Sequence, residues 1–129
     1  MARDYWLNLP VHDLTRARRF FTDIGLAFDA DPSTPPDMAA LRIGQDQMPI
    51  MLVQEERFRH FAAIDAVHAG HELLVTIGVA SKTEVDEVID RVEAAGGQVF
   101  GRPSGDERMY GAGFIDLDGH RWNLLFMGG

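Results

Sequence analysis

Five histidines, twenty carboxylates and no cysteine set the terms for any chemistry in this chain. His68 and His71 lie close together with Glu72 adjacent, donor types that bind zinc when a fold brings them to one point. They fall in a connector that need not be helical, so a solvated loop explains them as well. His12 precedes a helix cap and is expected in solvent, His60 takes the polar side of a short helix, and His120 follows a hairpin glycine. No three of these side chains converge. Nucleophilic catalysis has no firmer footing: Ser81 reads as a helix cap, Ser33 and Ser104 lie in loops, and no Gly-x-Ser-x-Gly turn is present. Gly111-Ala112-Gly113 leads into a strand and lacks the third glycine of a dinucleotide loop. Asp116 and Asp118 offer a pair of carboxylates, yet both flank a tight turn where such residues are at home.

The elements that must position these groups come in two copies. Asn8-Leu9-Pro10-Val11-His12-Asp13-Leu14 leads from a strand into a helix, and Thr76-Ile77-Gly78-Val79-Ala80-Ser81 does the same in the second half. The first helix presents Ala17, Phe20, Phe21 and Ile24 and stops at Gly25. The second presents Val85, Val88, Ile89 and Val92 and stops at Gly96-Gly97. Both sets have the spacing of a helix with one apolar side. Asp13 is suited to cap the first helix, and Ser81-Lys82-Thr83-Glu84 is a capping box for the second.

Strands are predicted over Tyr5–Val11, Leu26–Asp29, Met38–Ile43 and Met48–Val53, the last two joined by a turn around Gly44-Gln45-Asp46. A short helix over Glu55–Ile64 opens a connector that closes near Gly70. Further strands are predicted over Glu72–Val79, Gln98–Phe100, Met109–Leu117 and Arg121–Phe126. Asp31–Pro36 and Arg102–Asp106 read as loops, and Asp118-Gly119 as a tight hairpin turn. The order is βαβββ twice. It implies an α+β fold in a single domain, with one module over residues 1–54, a connector over 55–70 and a second module over 71–129. Each helix can cover only one face of a sheet, so the remaining faces are expected to form a shared cleft.

Composition narrows the function classes. Twelve basic against twenty acidic residues give a net charge of -8, which disfavours nucleic acid as a partner. The absence of cysteine excludes disulfides, a thiolate nucleophile and thiolate metal ligation. The start of the sequence carries no apolar signal core, and no stretch approaches the roughly 18 apolar residues of a spanning helix. No membrane role is expected, and a cytoplasmic location is.

The motif Asn8 to Leu14 with Phe20-Phe21 and Gly25-Leu26, and the stretch Phe114-Ile115-Asp116-Leu117-Asp118-Gly119-His120-Arg121-Trp122-Asn123, resemble the vicinal oxygen chelate superfamily. That superfamily includes glyoxalase I, extradiol dioxygenases and bleomycin-resistance proteins. Met109-Tyr110-Gly111 and Ala95-Gly96-Gly97 are similar to its glyoxalase-like branch. The resemblance spans the chain in order. It implies that the enzymes hold a divalent metal on inward-facing ligands from the first and last strands of each half. Those positions here are Trp6, Met51, Leu74 and Asn123. None is a histidine or a carboxylate, and a neutral amide is a poor lone ligand for a divalent ion. Period-two alternation supports this register: it turns Leu9, Val11, Ile77, Trp122 and Leu124 towards the helices.

With this register the inward set is Trp6, Asn8, Met51, Leu74, Thr76, Arg121 and Asn123, with Tyr110 reaching the mouth from an adjoining strand. Apolar walls and a few hydrogen-bonding groups are what small-molecule pockets combine. Packing alone would also account for Trp6, Met51 and Leu74, each gaining roughly 1.5–3 kcal/mol on burial. The reading adopted is a metal-independent protein that binds or sequesters a small molecule, resembling the bleomycin-resistance proteins, with no cofactor. Trp6 would stack on the ligand, and Asn8, Arg121 and Asn123 would make polar contacts. The alternative is a metal-dependent lyase, isomerase or dioxygenase using ligands such as His68, His71 and Glu72. A metal-free enzyme acting through Tyr110 or Arg121 is a third possibility. The resemblance further implies a homodimer.

Overall fold

A computed structural model describes residues 6–44, 49–67 and 73–128. The chain divides into two compact units, Met1–His68 and Ala69–Gly129. In the first, strands β1 (Leu7–Val11), β2 (Ala27–Phe28), β3 (Met38–Arg42) and β4 (Ile50–Gln54) form a sheet in the order β1-β4-β3-β2. The strand β1 runs parallel to β4, and the other pairings are antiparallel. Helix α1 (Leu14–Asp23) follows β1, and helix α2 (Glu55–Ala62) follows β4.

Local chemistry sets the ends of α1. Asp13 is extended, and its carboxylate accepts from the Arg16 amide at 3.2 Å, satisfying one orphan donor of the first turn. Gln54 satisfies another, its side-chain oxygen accepting from the Leu14 amide at 3.0 Å while its amide donates to the His12 carbonyl. At the far end Gly25 adopts φ +107, a conformation that costs glycine little, and the Leu26 amide bonds back to the Phe21 carbonyl. The helix buries Leu14, Ala17, Phe20 and Phe21 against Leu9, Val11, Leu41 and Leu52 in the core of this module.

The second unit repeats the plan with β5 (Leu74–Gly78), α3 (Lys82–Ala94), β6 (Gln98–Gly105), β7 (Met109–Ile115) and β8 (Arg121–Met127). The sheet order is β5-β8-β7-β6, again with its first pair parallel. Ser81 caps α3, its hydroxyl accepting from the Glu84 amide at 3.1 Å. Only this half of the expected capping box forms among the described residues. Val85, Ile89 and Val92 are buried with Phe114, Trp122 and Leu124. The two βαβββ modules of an α+β fold are thus the observed architecture.

The largest departure from the expected elements is β6. The strand was expected to end at Phe100, with a loop over Arg102–Asp106, yet it continues to Gly105. Pro103 lacks a ladder donor, but β6 is an edge strand and its pairing with β7 shifts register on either side of Gly101. Edge position and bulges are the settings in which a strand tolerates proline. In the first module β2 is only two residues long, shorter than Leu26–Asp29, and α2 stops at Ala62 with Ala63 left-handed at φ 55. Most of the turn at Gly44-Gln45-Asp46 and the end of the connector lie outside the described residues.

Candidate functional site

In module two, alternation sends Ile77, Ala112, Phe114, Trp122 and Leu124 to the α3 side, where all are buried. The opposite face is read off the register. Leu74 pairs with Arg121 and Arg121 with Ile115; Thr76 pairs with Asn123 and Asn123 with Gly113; Gly78 pairs with Leu125 and Leu125 with Gly111. Leu74, Thr76, Arg121 and Asn123 therefore share one sheet face, as expected. Leu74 is 50% exposed, so it is no part of the core of its own module.

A groove of about 380 Å³ lies on this face, lined by Gly101, Gly111, Gly113, Phe100, Leu125 and Asn123 among others. Glycine is what opens it. A methyl at Gly113 would run into the Phe100 ring, and one at Gly111 would come 2.8 Å from the Leu124 carbonyl oxygen. Phe100 thus lies across Gly113, on the same face as Asn123. The Arg121 guanidinium lies over that ring, its central carbon 4.9 Å from the centroid. Asn123 is half-buried, and its side chain forms no hydrogen bond among the described residues.

Tyr110 does not belong to this set. It pairs with Phe126, one residue out of phase with Gly111, and so takes the helix side. Its hydroxyl donates to the Asp86 carboxylate at 2.8 Å, and Lys82 sits 5.1 Å above its ring. The bond to Asp86, which holds the phenolic proton, raises the tyrosine pKa. The expectation that it reaches a pocket mouth fails because a shift of one residue along a strand reverses the face.

In module one, Asn8 pairs with Met51 and Met51 with Ala40, which places Asn8 and Met51 side by side. Asn8 is exposed and Met51 half-buried. Trp6, just ahead of β1, is 52% exposed and leaves its indole accessible outside the core of its module.

A second cavity, of about 790 Å³, opens where the start of α1 meets the segment 29–38. The loop expected over Asp31–Pro36 supplies part of its lining. Its acidic side chains are largely engaged. Asp29 pairs with Arg42 at 2.8 Å, Asp37 with Arg57 at 2.6 Å, and Asp31 accepts from both the amide and hydroxyl of Ser33. The Ser33 amide, followed by its hydroxyl, holds the Asp31 carboxyl below its usual pKa. His12 was expected simply to face solvent. It is exposed but lies 2.7 Å from the Glu55 carboxylate. Paired Asp and Arg residues distant in sequence were the one available signal, and sequence spacing does not reveal such pairs.

The residues at the four family positions do not fit a divalent metal. Between them they offer an indole, a thioether, an isobutyl group and a single amide oxygen, and hard or borderline cations need several oxygen or imidazole donors. No group of three His, Asp or Glu side chains suited to a metal occurs among the described residues. His68, His71 and Glu72 lie outside those residues. Asp116, which sequence linked to the hairpin, is 5% exposed and anchors the turn. One oxygen accepts from the Asp118 and His120 amides at 2.9 and 3.0 Å, the other from the Trp122 indole at 3.0 Å. Burial raises its pKa, against the charge of His120 and these hydrogen bonds.

Comparisons with known proteins agree with this architecture. The bleomycin resistance protein-like N-terminal family matches residues 3–44. A hypothetical protein from S. aureus is 31% identical with a TM-score of 0.86, over 98% of this chain and 94% of that one. A glyoxalase-related enzyme from Fulvimarina pelagi is 19% identical with a TM-score of 0.81, over 98% and 88% of the two chains. A glyoxalase/bleomycin resistance protein/dioxygenase family enzyme from Burkholderia phytofirmans is 17% identical with a TM-score of 0.80, over 95% and 96%. No curated protein matches. Fold, motif order and these likenesses converge: the chain has the fold shared by glyoxalase, bleomycin-resistance and dioxygenase proteins, and its residues 3–44 match the bleomycin resistance protein-like N-terminal family.

Proposed function

We propose that this chain is a metal-independent small-molecule-binding protein, sequestering its ligand as bleomycin-resistance proteins do. The observation that carries the reading is the makeup of the sheet faces turned away from α1 and α3. Trp6, Asn8 and Met51 in module one, and Leu74, Thr76, Arg121 and Asn123 in module two, supply apolar contact and directed polar groups without a metal-binding donor set. The groove beside Asn123, at about 380 Å³, falls within the roughly 300–1,000 Å³ of small-molecule sites. Apolar burial against Leu74 and the groove supplies affinity, at roughly 25 cal/mol per Å² before ordering costs. Asn123 fixes orientation, because its half-buried amide offers both a donor and an acceptor. The protein acts in the cytoplasm as a homodimer in this reading, since each four-stranded sheet has edges that a second copy can cover. A net charge of -8 argues against nucleic acid as the ligand, and no helix among the described residues is long and apolar enough to cross a membrane.

The test is a small-molecule screen by thermal shift run in parallel with and without a chelator, followed by titration of each hit under both conditions. Hits should bind equally with and without chelator. Asn123→Ala should weaken them by roughly three- to tenfold, the value of one net hydrogen bond of about 0.5–1.5 kcal/mol. Binding that vanishes with chelator and returns with a divalent ion would refute the reading. So would hits that are indifferent to both Trp6→Ala and Asn123→Ala.

A further inference from the structure

Resting on that binding reading, the geometry points to a ligand class: a flat organic anion, its carboxylate or phosphate-type group held by Arg121 and its body lying on the glycine floor. Arg121 opens β8 two residues before Asn123 and shares its face. Four other cations pair with carboxylates: Arg42 with Asp29, Arg57 with Asp37, Lys82 with Glu107 and Arg102 with Glu93. Arg18 rests on Phe28 as Arg121 does on Phe100, but it is exposed where Arg121 is half-buried. Arg121 forms no ion pair among the described residues. Its guanidinium rests instead on the Phe100 ring at 4.9 Å. With no hydrogen bond or ion pair to another described residue, its N–H donors are available, in the fork that matches a carboxylate or phosphate bidentately. A half-buried guanidinium without a counter-ion on a protein of net charge -8 is a local exception to the surrounding field.

The same ring joins the charge to the groove. Phe100 lies across Gly113, so it touches both the Arg121 cation and the glycine floor. That floor is glycine backbone at Gly101 and Gly111, flanked by the Phe100 ring over Gly113 and by the Leu125 side chain. Planar bodies make the closest contact with such a floor, and an aromatic one also meets the Phe100 edge favourably. Asn123, beside Gly113 in the register, then reaches a second polar group on the ligand.

The test uses naphthoate and its neutral isostere naphthamide, titrated into the full chain by calorimetry. Naphthoate should bind about tenfold more tightly, equal to about 1.4 kcal/mol. Arg121→Gln should erase that preference, and Arg121→Lys should restore only part of it because the fork is lost. Arg91→Gln, which removes an equal charge from the exposed side of α3, should leave the preference intact. Melting temperatures of the unliganded variants separate misfolding from lost recognition. Equal binding of the two probes, unaffected by Arg121→Gln, would overturn the anion inference and leave small-molecule binding standing. Binding of neither probe overturns the inference as well, whereas failure of the binding reading shows separately, as hits lost to chelator in the screen above.

Discussion

The two modules share one plan and place their aromatic mass on opposite layers. In module one the helix carries it: Phe20 and Phe21 meet edge to face, 5.1 Å apart, above small and aliphatic strand residues such as Ala39, Leu41 and Leu52. In module two the sheet carries it: Phe114 and Trp122 stack 6.0 Å apart beneath the slimmer Val85, Ile89 and Val92 of α3. Either arrangement fills the space between helix and sheet, so the fold constrains total volume and not which layer supplies it. The edges differ in consequence as well as in length. A two-residue β2 leaves the segment 29–38 to enclose a cavity at the end of module one, whereas an eight-residue β6 spreads a groove across the face of module two. Only the latter brings an ion-pair-free arginine and an unpartnered amide, among the described residues, to one surface.

The largest expected effect tests the aromatic exchange. Trp122→Ala and Phe20→Ala should each cost about 3–5 kcal/mol, the usual range for deleting a buried aromatic. The tryptophan should be the worse loss, because it also strands the buried Asp116 oxygen, which adds about 1–3 kcal/mol. Urea unfolding midpoints would show it, and Trp122→Phe isolates the hydrogen bond if the alanine variant fails to fold. A larger loss from Phe20→Ala would break the comparison.

Asp116 gives a pH signature to module two. Its folded pKa lies above 3.8, raised chiefly by burial. Between 3.8 and that folded value the native state holds a proton the unfolded chain has lost. The contribution of Asp116 to stability therefore falls as pH rises through this window, and is constant below it. The stability of wild type relative to Asp116→Asn should accordingly grow as pH is lowered from neutral towards 3.8, as read from denaturation midpoints at each pH. A relative stability that shrinks in acid would show that its hydrogen bonds outweigh burial.

Smaller effects separate floor from frame. Gly111→Ala meets backbone and should cost about 1–3 kcal/mol, whereas Gly113→Ala displaces only the half-exposed Phe100 ring and should cost less. Thermal unfolding ranks the pair, and ligand titration should find Gly113→Ala the more disruptive relative to its stability cost. Least of all, Asp13→Ala and Ser81→Ala should each remove about 1 kcal/mol by loss of an N-cap.

Much of the frame was legible in the sequence because periodicity and capping are local. Asp13, Gly25 and Ser81 mark helix ends by chemistry confined to a single turn, and alternation places Leu74, Thr76, Arg121 and Asn123 on one face. The path of β6 was not legible, since Pro103 argues for a loop unless the strand is known to be an edge. The side taken by Tyr110 was not legible either, since it depends on the pairing with Phe126 and the bond to Asp86 on α3. Phe100 escaped notice for a related reason: its place over Gly113 depends on a bulge, and its partner Arg121 lies on a different strand. The cavity of module one rests on pairs such as Asp37 with Arg57 and His12 with Glu55, which only the fold brings together.

Metal content decides the central claim most directly. Protein purified from metal-supplemented medium and assayed by elemental mass spectrometry should carry no stoichiometric divalent ion, because Trp6, Met51, Leu74 and Asn123 offer no donor set for one. A divalent ion bound in equal number to the chains, and lost together with ligand binding on dialysis against chelator, would contradict the account.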